Sequence, residues 1–403
     1  MKEKVGKYIT NYIKGKTPKV LLPNEEADTM PYLSPDYLRG VASPELYAMR
    51  DTKSIVVDDG EVIVLWDGSN AGEILISKKG VLASTMTMLQ FDEKQIDKAY
   101  FGYSFQNLEY ILKAKTAGSG IPHADKGVIS KLEFYKPSLA EQTAIAAMLS
   151  KVDEAIAAVQ ASISAAERLK KSLMQNLLTG RMKPDGTLRK EDEFYVDEKF
   201  GKVPLGWEVK AIGDKSVCRI NPNYKYKKKE VYDFVPMEAV KEKFGGLDFI
   251  EKQVIDNGSY TRFKAGDILF AKITPCSENG KVAYVKHIDS EVGFASTEFI
   301  VFHPTDNVNG QFIYLMLASE NVHRLAISLM EGTTGRQRIP WKIFRNRIFV
   351  PMPDKEEQNK IVEKILVFDK KNSYNYNKIA VLEKLKKSLM QNLLTGRVRI
   401  NSQ

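Results

Sequence analysis

Cysteine, histidine and long apolar runs are what this chain has least of, and each shortage removes a class of function. Its 403 residues include two cysteines, Cys218 and Cys276, and four histidines, His123, His287, His303 and His323, all scattered. Disulfide frameworks and zinc sites need such residues at short, repeated spacings, so neither is expected and no metal is assigned to the chain. No apolar run approaches the roughly 18 residues of a membrane span, and Met1-Lys2-Glu3-Lys4 has no apolar signal core behind it. A soluble, cytoplasmic protein with no membrane partner is expected. The phosphate-binding pattern Gly-x-x-x-x-Gly-Lys-Ser/Thr is missing too, which excludes nucleotide-driven translocation by this chain.

What the chain has is length for two or three domains and an ordinary globular balance, 43% hydrophobic and 28% charged. Lys and Arg number 60 against 51 Asp and Glu, a formal charge of +9 that favours a polyanionic partner.

The dominant feature is a repeat. Residues 169–181 recur without a change at 385–397, an offset of 216 that also carries Pro137 onto Pro353, Glu141-Gln142 onto Glu357-Gln358, Ile145 onto Ile361 and Asp153 onto Asp369. Each copy is punctuated as a long helix. Pro137 and Ser138 precede Glu141, and Pro353 and Asp354 precede Glu357, which predicts an N-cap with a capping box. Thr179-Gly180 and Thr395-Gly396 supply the stop, and a helix over 139–179 would be ~60 Å long.

Apolar residues at Ile145, Leu149, Val152, Ile156, Val159, Ile163 and Ala166 make a coiled-coil seam. The second copy continues with Ile361, Ile365, Phe368, Ile379, Leu382, Leu385, Leu389 and Leu393 but sets Asn372 and Asn375 opposite Ile156 and Val159. Those asparagines either fix register or leave a wetter middle. Each helix either packs on its own domain or pairs with the other, antiparallel, as a spacer. Core packing does not require the polar face to match, yet Lys170, Lys171, Gln175 and Asn176 reappear as Lys386, Lys387, Gln391 and Asn392. The inference is one shape shown to two copies of one partner; recent local copying is the alternative.

Two mixed segments, 1–137 and 203–353, carry short β-branched and aromatic runs bounded by Gly, Asp and Pro, which predict two domains of strands with turns and a few helices. The helices occupy 138–180 and 354–397, and the polar stretch 181–202 suits a linker. Asp59-Gly60-Glu61 sits opposite Ala265-Gly266-Asp267, and Ala83-Ser84-Thr85 opposite Ala295-Ser296-Thr297, with different polar loops between these landmarks. Basic residues interleave with amides and aromatics in three stretches, around 14–19, 221–229 and 333–342. Lysines anchor phosphates, while Arg, Asn and Gln pair with base edges. The candidate DNA-binding residues are Lys14, Lys16, Thr17, Lys19, Ser69 and Asn70 in the first domain. In the second they are Asn223, Tyr224, Lys225, Lys227, Lys228, Thr274, Ser277, Asn279, Thr334, Arg336, Gln337 and Arg338. A solvated charged face is the plainer reading of any single lysine run.

Two halves, the Pro-x-x-x-Glu-Gln helix starts, the repeated Leu-Leu-Thr-Gly-Arg helix ends, the segment Pro204-Leu205-Gly206-Trp207-Glu208 and the loop 273–281 together resemble the specificity subunit of a type I restriction and modification enzyme over nearly the whole chain. The resemblance implies an α/β (α+β mixed) fold with an internal pseudo-two-fold repeat. Two target-recognition domains, separated by two long antiparallel helices, each read half of a split duplex DNA target. It further implies that the helices dock two modification (methyltransferase) subunits and that restriction subunits join that complex. S-adenosylmethionine would belong to the modification subunits, and ATP with magnesium to the restriction subunits, leaving this chain without catalytic residues or a cofactor. The first domain departs from the pattern in lacking a Gly-Trp-Glu opening.

The rivals are a bifunctional enzyme with its own methyltransferase and a coiled-coil scaffold without DNA specificity. Asn221-Pro222-Asn223-Tyr224 is similar to the Asn-Pro-Pro-Tyr clamp on a flipped adenine, but the third position differs and no Phe-x-Gly-x-Gly motif lies upstream. Asp185 with Asp197, Glu198 and Lys199 imitates a nuclease site in a segment read as linker.

Overall fold

The computed structural model describes residues 1–40, 43–49, 53–115, 122–256, 259–333 and 335–400. The chain forms two compact units, Met1–Ala161 with Asn375–Gln403, and Ser162–Tyr374. Two long helices, α1 (Leu139–Leu178) and α2 (Lys355–Leu393), each contribute one half to each unit.

Their ends follow from the repeated sequence. The Ser138 hydroxyl accepts the Glu141 N–H at 3.3 Å, and the Asp354 carboxylate accepts that of Glu357 at 2.8 Å, so both N-caps form. The reciprocal half of the expected capping box is replaced: the glutamate side chains turn instead to arginines from elsewhere in the chain, Arg399 and Arg189. At the far ends Gly180 and Gly396 adopt φ of 71° and 72°, the left-handed conformation that closes a helix. A Cβ on either would also lie 2.2 Å from Pro204 or 2.7 Å from the Tyr135 ring, so glycine is required twice over.

Ile145, Leu149, Val152, Val159, Ile163 and Ala166 are buried, as are Ile361, Ile365 and Leu393. Asn372 and Asn375 are buried as well, and the Asn372 Oδ1 has no hydrogen-bond partner among the described residues. One expected seam residue is misplaced. Leu385 is 46% exposed, as its repeat mate Leu169 is at 52%, because both fall one position before the face that carries Lys170 and Lys386 inward. In the first unit Lys386 pairs with Asp153 at 2.7 Å; in the second Lys170 pairs with Asp369. The start of one helix therefore lies against the end of the other in both units, which is antiparallel pairing. These are the same ion pair with the helices exchanged. Partly exposed pairs contribute only about 0–1 kcal/mol, so the apolar seam supplies the stability and the ion pairs mark the register.

The first unit holds an antiparallel four-stranded sheet, β1 (Ile9–Lys14), β2 (Val62–Leu65), β3 (Ile74–Ile76) and β4 (Met86–Phe91), in the order β1-β4-β2-β3. The second holds β5 (Cys218–Ile220), β6 (Ile268–Ala271), β7 (Val282–Tyr284) and β8 (Phe299–Pro304), in the order β5-β8-β6-β7. First, last, second, third is thus the arrangement in both. A second sheet also repeats: the pairing of Thr29–Leu33 with Gly80–Leu82 is parallel, and so is that of Glu230–Val235 with Gly293–Ala295. The landmark turns at 59–61 and 265–267, and at 83–85 and 295–297, fall at matching junctions of the two topologies.

The sheet is followed in each unit by a helix, Lys98–Lys115 or Gly310–Leu317, and the glutamine of the long helix's Glu-Gln pair reaches the residue just before it. Gln142 Oε1 accepts the Asp97 N–H at 2.9 Å, and Gln358 Oε1 accepts the Asn309 N–H at 2.9 Å. Their amide nitrogens donate to the carbonyls of Pro137 and Pro353. Each glutamine thus ties the first turn of its long helix to the helix that closes the sheet. Phe101, Phe105 and Phe134 fill one core with Leu393 and Leu394 of the second repeat end; Phe270, Phe302 and Phe344 fill the other with Leu177 and Leu178.

Residues 181–202, expected as a linker, are built into the second unit. Phe194–Asp197 and Gly201–Pro204 form a hairpin, and Arg189 bonds Glu357 while its guanidinium lies over Trp207. Trp207 Nε1 donates to the other oxygen of the same carboxylate at 2.9 Å. In the first unit Arg399 performs this task, donating to Glu141 at 2.8 Å and holding its carboxyl below the ordinary range.

Candidate nucleic-acid interface

The strand order decides which loops meet. In both sheets the last strand runs antiparallel to the first and to the second, so the first and second strands point the same way. The loop after the first strand, the loop after the second and the turn before the last strand therefore gather at one sheet edge. In the first unit these are 15–19, 67–72 and 83–85; in the second, 221–229, 274–281 and 295–298. All three sequence-predicted stretches border these edges.

In the first unit contacts bear this out. Lys14 Nζ bonds Asp67 at 3.1 Å, His123 Nδ1 bonds the other Asp67 oxygen at 2.6 Å, and Thr17 Oγ1 donates to Ser84 Oγ at 3.1 Å. Burial works to raise the Asp67 carboxyl, but the bonds from His123 and Lys14 outweigh it and hold the group below its ordinary value. Lys16, Lys19, Ser69 and Asn70 are exposed on the same edge. Gly15 lets the chain pass close to 82–84, since a Cβ there would lie 2.1 Å from the Ala83 carbonyl.

The second unit sorts its candidates into outward and inward groups. Lys225, Lys227 and Lys228 are exposed on the loop after β5, and Arg336 beyond it. Tyr224, by contrast, is spent internally. Its hydroxyl donates to Asp267 at 3.0 Å beside His303 at 2.9 Å, and Asp267 is wholly buried with its carboxyl pushed up by that burial. The Tyr224 hydroxyl is therefore committed within the unit and not presented outward. Asn223 accepts from Arg262, which also donates to the Tyr224 carbonyl and lies over the Tyr226 ring. No local pattern ties Arg262, Asp267 and His303 to this loop or to one another, because they stand 36 to 79 residues from their partners.

The loop 274–281 also turns inward. Ser277 is buried, the Thr274 hydroxyl is buried with no hydrogen-bond partner among the described residues, and Asn279 donates to Glu242 at 2.8 Å. The Thr274 N–H donates to the Gln337 carbonyl at 3.1 Å, which covers the loop with the 331–341 arm. Gln337 is half-buried in that arm, and Arg338 projects from it. Thr334 lies outside the described residues.

The repeated helix face divides likewise. Lys170 and Lys386 are taken by the interhelical ion pairs, and Lys171 pairs with Glu320 at 3.0 Å. Asn176 and Asn392 donate to the Ser172 and Ser388 carbonyls at 3.0 Å each. Gln175, Gln391 and Lys387 are exposed, and beside them run Leu169, Ser172, Leu385 and Ser388, equally exposed. The imitation nuclease site dissolves into turns. Asp185 accepts from Thr187, Asp197 accepts the N–H groups of Lys199 and Phe200, and among the described residues no group of His, Cys, Asp and Glu is placed to hold a metal. Among them also, no helix is long and apolar enough to cross a membrane.

The family described as Type I restriction modification DNA specificity domain matches twice, at residues 6–168 and 204–384. The type I restriction enzyme MjaVIII specificity subunit of Methanocaldococcus jannaschii is 30% identical over 99% of this chain and 93% of its own length. The EcoEI specificity subunit of Escherichia coli is 35% identical over 41% of this chain and 28% of its own. A crystal structure of a type I restriction-modification S subunit from M. genitalium superposes with a TM-score of 0.59 at 16% identity, covering 98% of this chain and 96% of that one, a likeness of fold.

Proposed function

This chain belongs to the type I restriction-modification specificity subunits and carries two DNA specificity domains, and from that premise we propose that each domain reads one half of a bipartite duplex target through the sheet edge described above. The paired helices set the distance between the half-sites and dock two copies of a modification subunit. The chain itself contributes recognition, and methyl transfer, strand cleavage and nucleotide-driven motion fall to the subunits it assembles with.

The observation that carries this reading is one topology built twice with unlike loops on the same edge, joined to helices that are alike on their outer face. A constant scaffold with variable loops is what reading two different sequences requires, and two like helix faces are what two copies of one partner require. The exposed lysines 16, 19, 225, 227 and 228 suit phosphate oxygens, which fix position without choosing a base.

Exchange of residues 203–353 for the corresponding segment of another specificity subunit tests it. Methylated bases mapped in cells expressing the whole system are expected to change in one half of the target only. Changes in both halves, or in neither, would overturn the reading.

A further inference from the structure

On the second unit's sheet edge one arginine is held in a way the others are not. Arg338 Nε and Nη2 donate to the two oxygens of Glu298, both at 3.0 Å, so the carboxylate grips the guanidinium along one side. The backbone beneath is fixed from two directions. Arg338 exchanges N–H···O bonds of 2.8 and 2.9 Å with Glu331, and the neighbouring Ile339, which is buried, donates to the Lys272 carbonyl at 2.8 Å. Glu298 is anchored as firmly, at the turn before β8, where its carbonyl accepts the Lys272 N–H at 2.9 Å. The side chain is nevertheless 49% exposed, on the rim of a cleft of about 400 Å³ that Asn221, Lys272, Glu331 and Trp341 also line.

Resting on the reading of this edge as a DNA interface, we propose that Arg338 is a specificity-determining residue that recognises a guanine in the second half-site, and that Glu298 is its positioning residue. A guanidinium has five N–H donors in a plane. The two spent on Glu298 leave Nη1, which has no partner among the described residues, and the outer hydrogen of Nη2 as a rigid two-pronged edge facing outward. Guanine is the base that offers two acceptors, O6 and N7, at matching spacing in the major groove. A phosphate is the poorer partner, because Glu298 cancels the cation's charge and itself repels an anion. Arg39 of the first unit makes the contrast. Its Nε and Nη2 are gripped by Glu73 and its Nη1 by Asp36, so no two-pronged edge remains.

The test is selection from randomised duplexes by the chain assembled with its modification subunit, comparing wild type with Arg338→Ala, Arg338→Lys and Glu298→Gln. Wild type is expected to select a G·C pair at a defined position of the half assigned to residues 203–353. Arg338→Ala and Arg338→Lys should each lose that preference roughly 10- to 100-fold while every other position is retained. The lysine variant keeps the charge but not the fork. Glu298→Gln should relax the same position by less. Weakening that is equal for all sequences would assign Arg338 to phosphate or to folding, and an unchanged preference, or a second half-site without a G·C pair, would equally sink the proposal. If the 203–353 exchange leaves the target unaltered, the underlying reading of this edge fails instead, so the two failures are told apart.

Discussion

Gln142 and Gln358 show how one side chain can hold a domain to its helix. Both are buried, and each bonds a prolyl carbonyl on one side and, on the other, the N–H of the residue that immediately precedes a distant helix; Gln142 adds the Gln95 carbonyl at 3.2 Å. A buried polar backbone group left without its partner costs about 1–3 kcal/mol. Gln142→Ala strands three such groups, so a loss of about 2–4 kcal/mol is expected in urea unfolding, followed by the fluorescence of Trp66 in the same unit. Gln358→Ala should act similarly on the second unit, followed by Trp207; a loss below about 0.5 kcal/mol in both would refute the role. The repeated Glu-Gln was plain in the sequence, but its use was not. Spacing alone suggests a local capping box for the glutamates, whereas Glu141 and Glu357 bond arginines 258 and 168 residues away and the glutamines bond N–H groups 45 and 49 residues away. The arginines that replace the box, Arg189 and Arg399, are not even at equivalent positions of the repeat, so no internal alignment pairs them.

Among the elements, α1 and α2 were the most legible, because caps, stop signals and apolar period are all set by neighbours within four residues of one another. Two features needed correction: Leu385 is exposed where a seam residue was expected, and the glutamate half of each capping box is turned to an arginine. Pairing at one register in both units, with Asp153–Lys386 and Lys170–Asp369 as exchanged copies, makes the helices a measurable ruler under the proposed function. Insertion of seven residues into each helix, between 160 and 163 and between 374 and 377, keeps the phase of the seam and adds ~10 Å. At ~3.4 Å per base pair the gap in the methylated target is expected to widen by about three base pairs, with the bases read unchanged. A gap of unaltered length in the mapped methylome would rule out the ruler.

For the whole molecule, duplication of the exposed strip Leu169, Ser172 and Gln175 as Leu385, Ser388 and Gln391 sets an expectation of stoichiometry. Leu169→Asp or Leu385→Asp alone should lower the modification subunits bound per chain from two to one in native mass spectrometry, and both together to none. Retention of two by the double variant would move docking elsewhere. The sequence by itself determined that the chain is a repeat, where its long helices begin and end, and which stretches are basic, since composition, period and caps are properties of short windows. Only the tertiary structure decided that Tyr224, Thr274 and Ser277 are turned inward, that residues 181–202 are a built part of the second unit, and that Glu298 steadies Arg338. These depend on hydrogen bonds between residues about 40 or more positions apart, or on a hairpin finding its place against a helix start. Strand order brings such partners together, and no local pattern of residues encodes it.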